Sequence, residues 1–146
     1  MASRPAGSAA PDMMNGETVV PIASSADIVT ARQLGRALAA SVGFTGSDLT
    51  VIATAISELA RNIIEYAVDG AIVINAAEKA GRPGISIVAR DAGPGIPDVA
   101  KALGAGYSTG QGLGVGLPGV RRLMDEFEIL SRAGEGTSVT VRKWVP

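Results

Sequence analysis

Apolar residues in the first half of this chain recur every three to four positions, which is the spacing of one face of an α-helix. A first helix is predicted over about Ala26–Val42. Ser24 or Ser25 provides its N-terminal cap, and Gly43 ends it. The helix and its end signals together indicate one amphipathic element close to the start of the chain.

A second helix is predicted to begin at Thr45, or at Ser47 and Asp48, and to run to about Ala67. Its apolar positions, which give it one buried face, are Leu49, Ile52, Ile56, Leu59, Ile63 and Ala67. A third, shorter helix is predicted over about Pro118–Met124, because proline suits the first turn of a helix.

Five other segments are rich in valine, isoleucine and threonine, the residues that favour β-strands. The predicted strands are Glu17–Ile22, Ala71–Glu78, Ile85–Arg90, Phe127–Arg132 and Thr137–Val145. The connectors 79–84 and 133–136 are short and contain glycine, so the last four strands are expected to form two hairpins. Pro21 indicates that the first strand lies at a sheet edge or ends there.

The predicted order is strand, helix, helix, two strands, a long loop, helix and two strands. It indicates an α+β fold, a two-layer α/β sandwich with a mixed, mostly antiparallel sheet and helices on one face. Residues 17–146 form one domain, and residues 1–16, rich in Ala, Pro, Gly and Ser, are expected to be a disordered tail. The glycine-rich stretch from Ala92 to Gly116 is unusually long for a loop in a compact domain, which indicates a functional lid or disorder.

The composition of the chain limits the chemistry it can perform. Hydrophobic residues make up 47% and aromatic residues only 3%, so the core must be aliphatic. There is no cysteine and no histidine, which excludes thiolate catalysis, metal sites built on either residue and phosphohistidine relays.

A net charge of −1 gives no electrostatic case for binding to nucleic acid or to a membrane surface. No apolar run approaches the ~18–20 residues of a membrane span, and no signal peptide is recognisable, so a cytoplasmic location is expected.

Two polar motifs carry candidate chemistry. Glu58 and Asn62 are four residues apart on the second predicted helix and therefore lie on the same side of it. The Asn62 amide oxygen suits Mg²⁺, and the Glu58 carboxylate could position water, complete the metal shell or accept a proton. Asp91 ends a strand ahead of Gly93 and Gly95, where its carboxylate can accept a hydrogen bond from an adenine amino group. Each motif alone also fits an ordinary helix flank or turn.

A glycine-rich loop leads into the third predicted helix, where backbone amides and the helix dipole can hold phosphates. The amides concerned are those of Gly112, Leu113, Gly114, Val115, Gly116 and Leu117. No Gly-Lys-Ser/Thr follows, as a Walker loop requires, and no βαβ unit surrounds the loop, as a Rossmann fingerprint requires. A later glycine turn precedes Thr137, which could reach a phosphate or the Asp91 carboxylate.

Together the motifs resemble the Bergerat (GHKL) ATP-binding fold of gyrase, Hsp90, histidine kinases and MutL. E-x-x-x-N, D-x-G-x-G, G-x-G-x-G and G-x-G-T occur in this order over about residues 17–145. The resemblance implies ATP and Mg²⁺ as ligands, with Asn62 on the metal, Asp91 on the adenine amino group and the glycine loop as a lid. It also supports Glu58 as the base that accepts the proton of a partner's hydroxyl group.

Within this fold the chain resembles the small anti-sigma-factor kinases, and among them the switch kinases of stressosome signalling. The segments that carry this resemblance are 27–36, 54–63, 91–98, 112–126 and 133–137. It implies phosphorylation of Ser or Thr in STAS-domain proteins of the RsbS and RsbR types, and activation of a PPM-type phosphatase of the RsbU type after release. Three alternatives stay open: an anti-sigma factor that binds a sigma factor directly, an ATP-binding switch without kinase activity, and a stand-alone ATPase.

Overall fold

The computed structural model of this chain describes residues 12–14, 17–67, 70–93, 116–132 and 134–146. In chain order, the elements are β1 (Asp12–Met14), β2 (Glu17–Ile22), α1 (Ser25–Val42), α2 (Ser47–Tyr66), β3 (Gly70–Lys79), β4 (Arg82–Asp91), α3 (Gly116–Leu123), β5 (Glu126–Arg132) and β6 (Gly136–Trp144). Apart from β1, these are the predicted elements in the predicted order. No helix in the described ranges combines the length and the apolar character needed to cross a bilayer.

The strands form one sheet in the order β1-β2-β3-β4-β6-β5, and every pairing between described strands is antiparallel. Helices α1 and α2 pack on the central strands, and α3 packs against α2. The predicted two-layer α+β sandwich is therefore confirmed. Its sheet is antiparallel throughout the described strands.

Strand β1 differs from the sequence prediction, which assigned residues 1–16 to a disordered tail. Asp12, Met13 and Met14 pair with residues of β2. The rest of that segment lies outside the described residues. Main-chain groups on the free edge of β2 can pair with almost any sequence, so composition alone does not reveal such a strand.

Helix α1 begins where the sequence places its cap. The buried carboxylate of Asp27 accepts hydrogen bonds from the backbone N–H groups of Ala23 and Ser24, at 2.8 and 3.0 Å. This arrangement satisfies amide groups near the helix start, and the negative charge suits the positive end of the helix dipole. At the other end, Gly43 adopts a positive φ of 120° and stops the helix.

An aliphatic core fills the space between the helices and the sheet, as the composition predicts. Side chains of α1, α2 and α3 meet the alternating inward positions of β2, β3, β4 and β6. Its most completely buried members include Ile52, Ile56, Leu59, Ile72, Ile74, Ile85, Ile87 and Val141. This packing fixes α2 over the middle of the sheet, so the polar residues of that helix have defined positions.

The β5–β6 hairpin brings the backbone of Gly136 against the end of β4. Gly136 has φ +98°, and a Cβ atom there would lie 2.1 Å from the carbonyl oxygen of Asp91. Gly134, in the same turn, also has a positive φ (+78°), but a Cβ atom there would meet nothing within 4 Å. Both positions favour glycine because of their backbone conformation, but only Gly136 is also required by close packing.

At the opposite end of the sheet, Glu126 joins three residues. Its carboxylate accepts hydrogen bonds from the Lys79 ammonium at 2.8 Å and from the Trp144 indole N–H at 3.0 Å, and Arg142 lies 3.5 Å away. The hydrogen bond from Lys79 lowers the pKa of the Glu126 carboxyl, with help from Trp144 and the charges of Lys79 and Arg142, although desolvation opposes them. The ionised carboxylate therefore stabilises the fold.

We expect Glu126→Gln to lower the free energy of unfolding at neutral pH. Because the pKa of Glu126 is lowered in the folded state, its contribution is present above the unfolded-state value and disappears as the pH falls through the folded-state value. The wild-type and variant stabilities should therefore converge below about pH 4. Urea unfolding at several pH values tests this, with Glu128→Gln, an exposed position on the same strand, as the control. A constant difference at all pH values would contradict it.

We also expect Gly136→Ala to destabilise the protein more than Gly134→Ala does. Both variants place alanine at a positive φ, at a cost of about 1–2 kcal/mol. Only Gly136→Ala adds a steric overlap, which we expect to cost roughly a further 1–3 kcal/mol. Urea unfolding of the two variants in parallel measures the difference, and equal losses would show that the contact with Asp91 is unimportant.

Candidate nucleotide-binding site

One row of residues crosses the end of the sheet on its helix-bearing side. The row is Ile22, Gly70, Asp91, Thr137 and Ser131, each paired in register with the next. The positions two residues further into each strand belong to or pack against the core, and side chains alternate across a strand, so the row faces α2. Asp91 and Thr137 are thus direct cross-strand neighbours, beside the core rather than on the open face of the sheet.

Helix α2 lies directly on this row. A Cβ atom at Gly70 would be 2.9 Å from the Ile63 side chain, 3.1 Å from the Asp91 Cβ and 2.4 Å from the Arg90 carbonyl oxygen. No larger residue fits there, and the close approach holds Ile63 over the strand ends. Asn62 immediately precedes Ile63, so α2 brings the predicted metal ligand to the same end of the sheet as Asp91.

The carboxylate of Asp91 is held by its own backbone. Its Oδ1 atom accepts a hydrogen bond from the Gly93 N–H at 2.8 Å. Gly93 in turn packs on the end of α2, where a Cβ atom would lie 2.9 Å from the Ala67 Cβ and 3.0 Å from the Tyr66 carbonyl oxygen. Oδ2 of the half-buried Asp91 makes no hydrogen bond to another described residue, so it can accept one from a ligand.

Glu58 connects α2 to the start of α3. The side chain is buried, its Oε1 atom accepts the Gly116 N–H at 3.2 Å, and its Oε2 atom pairs with Arg61. The Arg61 side chain is 39% exposed while it pairs with Glu58. Both carboxylate oxygens therefore have partners, and the Gly116 amide, predicted to hold phosphate, is bonded to Glu58 instead.

Thr137 lies opposite Asp91, but its hydroxyl group makes a different contact. The Thr137 Oγ1 atom is 2.9 Å from the Ser131 Oγ atom. Of the two contacts considered for Thr137, the one with the Asp91 carboxylate is not present, and the one with a phosphate stays a prediction. Sequence reasoning did not single out Ser131, and only the exact register of the β5–β6 hairpin could have indicated it.

The predicted site residues divide into three groups. Asn62, Gly93 and Thr137 lie at the same end of the sheet as Asp91, and Glu58 lies one helical turn from Asn62. Gly116 and Leu117 begin α3, where the Leu117 side chain is part of the core. The predicted Gly95 and the lid residues Gly112, Leu113, Gly114 and Val115 lie outside the described residues, so their roles stay predictions.

The donor set at this site fits a metal held jointly by protein and ligand. Among the described residues, no cluster of three or more Asp, Glu, His or Cys could hold a metal ion by itself. The half-buried Asn62 makes no side-chain hydrogen bond to another described residue, so its amide oxygen is available. One neutral oxygen ligand together with phosphate oxygens is a set that Mg²⁺ accepts.

Comparison with known proteins identifies a domain family and similar proteins. A model of the histidine kinase-like ATPase domain matches residues 22–143. The serine/threonine-protein kinase RsbT of Bacillus subtilis (strain 168) is 53% identical over 132 residues, which are 90% of this chain and 99% of RsbT. An anti-sigma F factor of Caldanaerobacter subterraneus subsp. tengcongensis is 33% identical over 79% of this chain and 83% of its own length.

A solved structure is also similar, namely the RsbU and RsbW domains of a Mycobacterium tuberculosis protein. The TM-score is 0.56 at 27% identity, and the match covers 87% of this chain and 31% of that chain. The present chain thus corresponds to about a third of the larger protein. The predicted fold, the predicted resemblance and the predicted enzyme class, a protein serine/threonine kinase, are confirmed. The chain belongs to the histidine kinase-like ATPase domain family.

Proposed function

We propose that this chain is a Mg-ATP-dependent kinase that phosphorylates a STAS-domain partner of the RsbS or RsbR type. Once released from that partner, it binds and activates a PPM-type phosphatase of the RsbU type. The observation that carries the proposal is that Asp91 and helix α2, which carries Asn62, meet at one end of the sheet. One carboxylate oxygen of Asp91 accepts no hydrogen bond from another described residue. The 53% identity to RsbT supports the choice of kinase over the other activities of this fold.

The adenine would lie against the end of β4. Asp91 accepts a hydrogen bond from the adenine amino group with Oδ2, while Oδ1 keeps its bond to the Gly93 amide. Gly93 and Gly95 present no side chain, so the base can approach the backbone closely. Discrimination for adenine follows from charge, because a carboxylate repels the carbonyl oxygen that guanine carries at the same position.

Asn62 and the glycine loop would hold the triphosphate. The Asn62 amide oxygen supplies a ligand to Mg²⁺, and the amides of residues 112–115 and of Leu117 contact the phosphates. Bound Mg²⁺ neutralises charge that develops on the phosphates during phosphoryl transfer. The work of the protein is therefore to position the nucleotide and the acceptor hydroxyl group, and to exclude water between them.

Glu58 is proposed as the base for the acceptor hydroxyl group. Its carboxylate is buried one helical turn from Asn62, which suits a group that must meet a hydroxyl beside the phosphates. Gly116 and Arg61 occupy its two oxygens. Each carboxylate oxygen has a second lone pair that can accept the proton of the partner's hydroxyl group, and the partly exposed Arg61 is the contact that is more readily displaced.

Partner exchange would follow from the phosphorylation itself. A phosphoryl group adds about −1.5 to −2 charges to the partner at the contact. Placed near Glu58, that charge weakens the complex and frees the same surface for the phosphatase. The solved neighbour that contains RsbU and RsbW domains in one protein is in line with such a pair. The supply of ATP favours a cytoplasmic location.

A second candidate function is an anti-sigma-factor kinase that binds a sigma factor directly. The 33% identity to an anti-sigma F factor favours it. The higher identity to RsbT ranks it below the STAS-directed kinase. A pull-down with purified sigma factors separates the two candidates, since only the anti-sigma factor should retain one.

Asp91→Asn should weaken ATP binding, because the amide that replaces the carboxylate can turn a donor towards the adenine amino group and carries no charge. We expect the Kd for ATP to rise at least about tenfold, the factor for one charge-assisted hydrogen bond. Isothermal titration calorimetry with Mg²⁺ measures it. Asp48→Asn, in the first turn of α2, is the control. Unchanged affinity in Asp91→Asn would place the adenine elsewhere.

Glu58→Gln should leave ATP affinity within about threefold and slow phosphoryl transfer about 10²–10⁴-fold, the usual contribution of a general base. The glutamine carbonyl can still accept the Gly116 amide, so the connection between α2 and α3 is kept. Transfer of label from γ-³²P-ATP to a purified STAS-domain partner measures the rate, and Arg61→Gln controls for loss of the ion pair. A wild-type rate in Glu58→Gln would remove the base assignment. No labelling by the wild type would leave an ATP-binding switch.

A further inference from the structure

Strand β5 forms one edge of the sheet. Among the described strands it pairs with β6 alone. It has seven residues, whereas β1 at the opposite edge has only three. An edge strand presents a row of main-chain N–H and C=O groups that can pair with another chain, and a short strand or a proline is a common protection against this. Strand β5 is not short and contains no proline, so its outer edge is able to accept a further strand.

The face of β5 that points away from the helices carries an exposed apolar residue between two opposite charges. Ile129 packs against the core, so Glu128, Leu130 and Arg132 point the other way. Leu130 is 68% exposed, more than any other large hydrophobic residue in the described part of the chain. Glu128 and Arg132 are exposed as well, and neither forms an ion pair with a described residue.

We propose that the outer edge of β5 binds the same edge of a second copy of this chain, in an antiparallel pairing that places Leu130 opposite itself. The two sheets then continue as one sheet, related by a two-fold axis beside Leu130. Glu128 of each copy comes to lie directly opposite Arg132 of the other. Apolar pairs and pairs of opposite charge, directly opposed across antiparallel strands, both stabilise such a pairing.

The sequence of β5 selects this register among the two-fold pairings centred on the middle of the strand. Centring on Ile129 would place Glu128 opposite Leu130, an acidic residue against an apolar one. Centring on Glu128 would place two like charges directly opposite each other, which is unfavourable. Centring on Ser131 would place Leu130 opposite Arg132. Centring on Leu130 is the pairing that matches apolar with apolar and acidic with basic.

The helix-facing side of β5 also favours a second strand at this edge. Phe127 and Ile129 pack against the core but are only half-buried. In the proposed pairing Ile129 lies opposite Ser131 of the second copy and loses exposed apolar surface, which is favourable. We expect a contact through one short strand to bury less area than a standard interface, and therefore a weak dimer with a Kd of about 10–100 µM.

Sedimentation velocity of the full chain, from well below to well above that Kd, measures the association. Leu130→Asp places two carboxylates opposite each other at the axis and should raise the Kd at least about tenfold. Glu128→Arg alone and Arg132→Glu alone each create two contacts between like charges, so each should raise the Kd about tenfold. The double variant restores opposite pairs and should return to within about threefold of the wild type. Glu78→Arg, an exposed charge reversal on β3, is the control.

Single cysteines test the register directly, because the chain has no cysteine of its own. Leu130→Cys should form a disulfide between two copies under mild oxidation, because directly opposed Cβ atoms lie about 4.5–5.5 Å apart. Glu128→Cys and Arg132→Cys should each cross-link poorly alone and efficiently when the two variants are mixed. Val29→Cys, an exposed apolar position on α1, measures cross-linking by random collision.

Three results would overturn the inference. The first is a wild type that sediments as a monomer at every concentration. The second is a dimer whose Kd is unchanged by Leu130→Asp and by the single charge reversals, because the copies would then meet through another surface. The third is equal cross-linking of Leu130→Cys and Val29→Cys. Urea unfolding below the Kd checks that each variant folds, and the double charge variant, which should associate, keeps the test decisive if Leu130→Asp does not fold.

The inference is independent of the proposed nucleotide site. The row that contains Asp91 faces α2, and the three residues that form the proposed contact lie on the opposite face of the sheet. ATP affinity should therefore be unchanged in all of these variants. If the wild type dimerises as described but binds no ATP, the proposed function fails while the inference stands.

Discussion

The site depends on how closely the backbone of helix α2 and the last hairpin can approach the ends of the central strands. Gly70 leaves room for Ile63 above Asp91, Gly93 rests against the last turn of α2, and Gly136 lies against the Asp91 carbonyl. A side chain at any of these positions would overlap its neighbours. The polar residues lie close together because the backbone around them is tightly packed at these glycines. The aliphatic core behind them holds this backbone in position.

The position of α3 relative to α2 depends on the buried carboxylate of Glu58. It accepts the first amide of α3 and pairs with Arg61, so its charge is compensated inside the protein. An unpaired charge buried at this depth would lower the free energy of unfolding by several kcal/mol. The hydrogen bond from Gly116 is therefore a stabilising contact between α2 and α3. The same residue that is proposed to accept a proton thus also holds the first residue of α3. The proposed chemistry and the position of that helix are therefore not independent.

Much of the fold could be read from the sequence, because helix and strand periods and turn residues are local signals. Helices α1 and α2, both hairpins and the strand-end position of Asp91 follow from spacing and from glycine alone. The features that were missed need three-dimensional information. The Arg61–Glu58 pair depends on side-chain rotamers, the capture of the Gly116 amide depends on how α3 packs, and the partner of Thr137 depends on the register of β5 against β6. Strand β1 forms through main-chain hydrogen bonds to β2, which cannot be predicted from amino-acid composition.

The row of residues across the end of the sheet also has a consequence for the folding of the protein. Its members run from position 22 to position 137, and they come from five strands that are joined only after the last hairpin has formed. Contacts between such distant positions are the slow part of folding. A chain that emerges incomplete, or has lost its last hairpin, lacks Thr137 beside Asp91 and should have no nucleotide pocket. Occupancy by nucleotide would then mark a finished molecule and favour it over partly folded forms.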